Sequence, residues 1–215
     1  MKLIAHRGWA AGAGENTLAA FRRAAADGRI SGVEFDVRRD PASERLLVSH
    51  DPPQAGVATL ALDEALGFLA GTRLELLAEV KEPGIAPAVI DALVEAGVAE
   101  RSVVFGFADV ARTFPWAAPR PVRLGAILVH PWTMGRFIAA HRPDVISLGW
   151  DGRAWTRLAF RAWWLPLGSP AQRYGRPAIV GIVRRKKDLD WLARRNVHAA
   201  VADMDAIVDA LPPPS

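Results

Sequence analysis

Short apolar strands alternate along these 215 residues with segments of helical period, and several strands end on charged or imidazole side chains. Together with the absence of a GxGxxG loop, this pattern predicts a compact α/β fold, a (β/α)8 TIM barrel formed by residues 1–215 as one domain. Parallel neighbours need crossover segments, and most strand candidates here are separated by one. An open doubly wound sheet is the competing arrangement, but it more often carries the glycine-rich phosphate loop that this chain lacks.

The first strand is expected at Leu3–His6, followed by a glycine-rich turn and a helix over Thr17–Asp27. Leu18, Phe21 and Ala25 share one face of that helix, with Asn16 as its expected N-cap and Gly28 as its stop. Apolar runs follow at Val33–Val37 and Leu46–His50. Only about eight turn-prone residues (RRDPASER) join these runs, too few for a helical crossover, so they read as a hairpin. The hairpin takes one of nine strand candidates out of the barrel and leaves eight. Leu74–Lys81 is next, then a helix over Ile85–Ala96 that stops before Gly97. Further strands are expected at Ser102–Phe107, Leu124–Val129, Asp144–Trp150 and Ala178–Val183. A helix over Lys186–Arg195 leads to the last strand, Ala199–Ala202, and a tail helix over Met204–Leu211 is ended by PPPS.

A hydrophobic fraction of 51% allows one sizeable core. Cysteine is absent, which excludes disulfides and thiolate metal sites and leaves oxygen or imidazole ligands for any metal. The start MKLIAHRG has no long apolar stretch, and charges interrupt every apolar run, so a soluble cytoplasmic protein is expected. Net charge is +4, with a pI near 10.1, yet the arginines are scattered and no nucleic-acid-binding motif is visible. The basic balance suits an anionic small molecule or a membrane surface; nucleic acid is not expected as a partner.

The chemistry concentrates in a few short stretches. In VEFDV, Glu34 and Asp36 are two apart and share one strand face, while Val33, Phe35 and Val37 take the other. Two adjacent carboxylates repel, and either a hard divalent cation or salt bridges to arginines can relieve them. LLAEVKEP repeats the device with Glu79 and Lys81, at the strand end where barrel sites are built; an ion pair inside the barrel is the alternative. His6 and His50 also end apolar runs, and imidazoles suit proton transfer near neutrality. Arg7 reads as a fork for phosphate oxygens. Glu15 and Asn16 read as supports, with Glu15 bracing the loop through Arg7. Trp150, at a strand end, is a candidate to face substrate. In WDGRAWTRLAFRAWW, tryptophans alternate with Arg153, Arg157 and Arg161 at four-residue spacing. Such a helix either packs its apolar side on the barrel with arginines in water, or rests weakly on an anionic membrane.

HRG followed by ENTLAAF, then VEFDV, VSHD and AEVK, in this order and spacing, resembles the glycerophosphodiester phosphodiesterase family. Weaker echoes are VVFGF, where the family often has a Ser-Phe strand, and AAVAD, similar to its terminal Thr-Asp strand. The resemblance implies a TIM barrel that hydrolyses glycerophosphodiesters to sn-glycerol 3-phosphate and an alcohol, with one divalent cation, Mg²⁺ or Ca²⁺. Position by position, it implies His6 and His50 as the acid/base pair, Glu34, Asp36 and Glu79 as metal ligands, and Arg7 and Lys81 as phosphate contacts. Three stretches depart from the family pattern. RRDPASERLLVSH stands where a Thr-x-Asp-Gly turn is common, the insertion after HD is reduced, and IVGIVRR replaces a Trp-Thr-Val-Asn strand. The altered parts shape pocket walls. They leave open lysophospholipase D or sphingomyelinase D-like action on a lipid phosphodiester, or a barrel that binds anions without catalysis.

Overall fold

A computed structural model of the protein describes residues 1–54, 56–150, 153–167 and 173–211; Pro212–Ser215, expected to end the tail helix, lie outside them. Eight parallel strands form a closed ring: β1 (Lys2–Ala5), β2 (Gly32–Arg39), β4 (Glu75–Val80), β5 (Ser102–Phe105), β6 (Arg123–Ile127), β7 (Val145–Gly149), β8 (Ala178–Val183) and β9 (Ala199–Ala202). β1 closes the ring by pairing with β9 on one side and β2 on the other. The expected hairpin is present. β3 (Leu46–Val48) runs antiparallel to β2, with Val37 opposite Val48, and stands outside the ring.

Period-two alternation divides the core into two layers. Ile4, Leu77, Val103, Phe105, Val145, Ile179, Ala199 and Val201 fill the barrel interior. The opposite faces of the same strands, including Val33, Phe35 and Val37, are buried under the helices. Helix α1 (Leu18–Ala26) docks on β2 through Phe21 and Phe35, whose rings meet edge-on at 5.9 Å. Fully burying a side chain of that size contributes about 1.5–3 kcal/mol. Helices α2 (Leu62–Ala70) and α3 (Ala86–Glu95) continue the outer layer with Leu62, Leu66, Leu69, Val89 and Leu93 turned inward. The ring is completed by α4 (Ala108–Ala111), α5 (Pro131–His141), α6 (Ala154–Leu167), α7 (Lys186–Ala193) and α8 (Met204–Ile207). No helix among the described residues is long and apolar enough to cross a membrane.

Three expectations need correction. Asn16 is not the N-cap of α1; Thr17 is, its hydroxyl accepting from the Ala20 amide at 3.2 Å. Asn16 instead has a left-handed backbone (φ 57°) and sends its side chain to a carboxylate on β2, a task a capping residue cannot also perform. Several strands end earlier than the apolar runs suggested. His6, Lys81 and Trp150 each follow the last strand residue, and His50 lies two beyond Val48, so all four stand at the barrel mouth instead of in the ladder. The tail helix is a single α-turn over Met204–Ile207 that tightens to 3₁₀ at Val208–Ala210.

Helix α6 also differs from the reading that shows its arginines to water. Arg161 and Arg157 point toward buried Asp188 on α7, at 2.6 and 3.9 Å, and Arg185 adds a third contact at 2.6 Å. Trp155 and Leu158 face outward instead, 64% and 69% exposed. A buried carboxylate requires counter-charge, and that requirement sets which face of α6 turns inward. The side chains of Trp163 and Trp164 lie outside the described residues.

Candidate active site

The turn after β1 is the first element of the site. At Gly8 (φ 76°) a Cβ would lie 2.8 Å from the Ala20 Cβ, so only glycine lets the turn seat on α1. Arg7, also left-handed at φ 50°, is thereby held over the mouth. Its amide donates to Glu34 Oε2 at 3.0 Å, and its carbonyl accepts from the Asn16 amide at 2.9 Å. Glu15 grips the Arg7 guanidinium at 2.7 Å, which is the bracing role expected of it.

Pleating aims Glu34 and Asp36 of β2 into the barrel beside Glu79 of β4, and register places Asp36 opposite Glu79. Glu34 and Asp36 are almost wholly buried. Asp36 accepts from Asn16 Nδ2 at 2.9 Å and pairs with Lys81 Nζ at 2.9 Å. Arg7 Nε lies 3.0 Å from the same carboxylate without hydrogen-bond alignment, so that contact is electrostatic. Lys81 also donates to Glu79 at 2.6 Å and bridges the two acids.

The electrostatics follow from this distribution of partners. Burial raises the Asp36 pKa, but Lys81, Asn16 and Arg7 outweigh burial and hold it below its ordinary value. Glu34 has no such cation in contact. Burial, then repulsion from Asp36 and Glu79, push its pKa well above the usual carboxylate range. Burial also raises Glu79, against the pull of Lys81. Lys81 is itself held above the ordinary lysine value: burial disfavours its charge, but Glu79 and Asp36 more than offset that.

Glu34 Oε1 is buried with no hydrogen-bond partner. Glu34, Asp36 and Glu79 each offer an oxygen, and these oxygens lie within 4.8 Å of one another. An orphaned buried oxygen facing two more carboxylates is a hard-donor set that fits Mg²⁺ or Ca²⁺.

His6 is fixed by a residue that sequence reasoning did not select. Its Nδ1 bonds Asp203 Oδ1 at 2.7 Å, and Arg184 Nε holds the second Asp203 oxygen at 2.6 Å. Burial acts to raise the Asp203 pKa, yet His6 and Arg184 bring it below the ordinary value. A carboxylate can only accept, so Nδ1 of His6 carries a proton whatever the charge of the ring, and Nε2 is the nitrogen left for exchange. That nitrogen faces the acid cluster, 3.8 Å from Glu34 Oε2. The only trace of Asp203 in the sequence is the end of AAVAD.

His50 stands apart from this network, on the exposed loop after β3, with Nδ1 2.9 Å from its neighbour Asp51. Arg38 anchors the loop by donating to the His50 carbonyl at 2.8 Å. The imidazole is near enough to favour the charged form of Glu79, which puts it at the same mouth. Trp150 is on the far wall with its ring 5.2 Å from Phe160. It lines a cavity of about 790 Å³ that begins at His6, Glu34 and Glu79 and extends across the ends of β5–β8. Six of the eight site residues expected from sequence (His6, Arg7, Glu34, Asp36, Glu79 and Lys81) thus form one contact network.

No protein-family model and no curated protein matches the chain. Solved structures do. A glycerophosphodiester phosphodiesterase from Parabacteroides distasonis has a TM-score of 0.74 at 18% identity, over 94% of this chain and 92% of that one. A second, from Agrobacterium tumefaciens, has 0.71 at 20% identity, over 98% and 99%. An Oleispira antarctica phosphodiesterase in complex with the product sn-glycerol-3-phosphate has 0.71 at 17% identity, over 98% and 96%. At such identities the likeness establishes the fold: near its full length, this chain adopts the same closed barrel.

Proposed function

We propose that the protein is a metal-dependent phosphoric diester hydrolase that cleaves glycerophosphodiesters to sn-glycerol 3-phosphate and an alcohol. One observation carries this reading. A buried triple-carboxylate set, a carboxylate-oriented histidine and two cationic side chains meet at the C-terminal mouth of a (β/α)8 barrel. The sn-glycerol-3-phosphate bound to the Oleispira antarctica neighbour supports the same substrate class.

Glu34, Asp36 and Glu79 would hold one divalent cation, Mg²⁺ or Ca²⁺, which when bound would neutralise phosphodiester charge and the charge that develops in the transition state. Arg7 and Lys81 turn their donors toward the same space and would bind the non-bridging phosphate oxygens. Holding the phosphate also brings the scissile bond against Nε2 of His6. In our reading one imidazole, of His6 or His50, takes the proton of the attacking hydroxyl as its oxygen bonds to phosphorus. The other gives its proton to the departing alkoxide as the P–O bond breaks, so charge balances across the step. Trp150 would bound the substrate on the side opposite Lys81.

The test is release of glycerol 3-phosphate from glycerophosphocholine with EDTA, Mg²⁺ or Ca²⁺. Turnover is expected with a metal and not with EDTA. Glu34→Ala should lower kcat/KM by roughly 100-fold or more, the least expected when a site loses charge stabilisation. Equal rates in EDTA, or an unchanged Glu34→Ala enzyme, would overturn the proposal.

A further inference from the structure

The cavity is larger and more apolar than a short polar alcohol requires. One end is the catalytic cluster, at His6, Glu34 and Glu79; away from it, the walls are chiefly Phe105, Phe107, Ile127, Val129, Trp150 and Phe160. Its volume of about 790 Å³ lies in the upper part of the range for small-molecule pockets. A glycerol group placed against such a wall would give up the hydrogen bonds of its hydroxyls to water without gaining partners, which is costly.

Much of its rim is apolar as well, with His130, Arg153 and Thr156 as the polar members of the lining there. Seven large hydrophobic side chains are exposed among the described residues: Met1, Val57, Val94, Phe107, Val129, Trp155 and Leu158. Phe107, Val129 and Trp155 line this cavity, and Leu158 lies one turn along α6 from Trp155. An apolar patch gathered at one opening marks a binding surface, whereas single scattered residues do not. The α6 wall is also anchored. Arg161 ties it to α7 through Asp188 at 2.6 Å.

From the continuity of this cavity with the acid cluster and the apolar character of wall and rim, we infer that it is a hydrocarbon-tail subsite. The substrate is then a glycerophosphodiester whose glycerol bears one long acyl or alkyl tail, and the glycerol 3-phosphate released by the same cleavage keeps that tail. The inference deepens the function proposed above and rests on it for the reaction, though not for the binding. The tail lies along Phe107, Val129 and Trp150 while the phosphate meets Arg7 and Lys81. Each buried methylene strengthens binding by up to roughly fourfold until the cavity is full.

The experiment pairs binding with turnover. In EDTA, tryptophan fluorescence follows binding of butyl- and dodecylphosphocholine below their micellar concentrations, because Trp150 and Trp155 line the subsite. Dodecylphosphocholine should bind at least a hundredfold more tightly than the butyl compound, and Ala159→Phe, which fills the cavity from α6, should weaken it at least tenfold. With metal, kcat/KM should rise with tail length from glycerophosphocholine through 1-acyl lysophosphocholines, and Ala159→Phe should flatten that rise. Equal binding of the two amphiphiles, or a tail series that Ala159→Phe leaves unaltered, would overturn the subsite whether or not glycerophosphocholine is hydrolysed. Tail-dependent binding without turnover of any diester would uphold the subsite and overturn the proposed reaction.

Discussion

Asp203 shows what one residue contributes to this site and why the sequence concealed it. It lies 197 positions from His6 and meets that histidine only because the last barrel strand pairs with the first. Asp203→Asn keeps an acceptor for Nδ1 but removes the charge that stabilises the imidazole once it is protonated. The expected result is a fall in kcat of about 100-fold with little change in KM, measured with the preferred metal at saturation. Asn16 carries a related lesson. Beside a helix start it read as a cap or as a support of the site, and it is the latter, with Asp36 as its partner at 2.9 Å on a neighbouring strand. Glu34, Asp36, Glu79, Lys81 and Arg7 were legible because their spacing alone puts unlike chemistry on one strand face or tip. A partner supplied by a distant strand leaves no such local mark.

At the scale of elements, the hairpin and the eight barrel strands were legible because alternation, apolar length and connection length all bear on them. The orientation of α6 was not. Its four-residue arginine spacing fits either an outward or an inward stripe, and the choice depends on Asp188, buried on α7. Asp188→Ala removes the shared counter-charge of Arg161 and Arg185, which are themselves partly solvated. Urea unfolding should show a loss of about 1–3 kcal/mol, less than for a fully buried pair. Arg161→Met should cost less, because Arg185 still holds Asp188 at 2.6 Å.

At the scale of the whole molecule, the two ends of the barrel differ in their response to pH. At the end opposite the mouth, His198 precedes β9, with Lys2, Glu75 and Arg123 as its charged neighbours. Burial lowers its pKa, and Lys2 and Arg123 add to that against Glu75. The unfolded chain therefore binds this proton at higher pH than the folded one, so stability rises with pH through the window below about 6.5. His198 should contribute a fall in stability as pH is lowered through that window, opposite in sign to the contributions of Glu34 and Glu79, and His198→Asn should remove it; equal slopes for the two proteins in denaturant titrations would refute the assignment. The global shape was readable from periodicity, but the cavity was not. Its walls come from scattered positions between Phe105 and Val201, and their convergence depends on barrel closure.

That closure has one more consequence. The junction of β1 and β9 is crossed by the His6–Asp203 bond, and nearby Trp9 Nε1 donates to Asp205 at 2.8 Å. A chain emerging from the ribosome presents His6, Glu34, Asp36 and Glu79 early, with nothing yet to set the histidine's tautomer. The carboxylate that does so arrives with the last strand, after the ring has a partner for its first. Assembly of the His6–Asp203 pair and completion of the wall are therefore a single event, and a partly made barrel holds acids and an imidazole whose tautomer nothing yet sets.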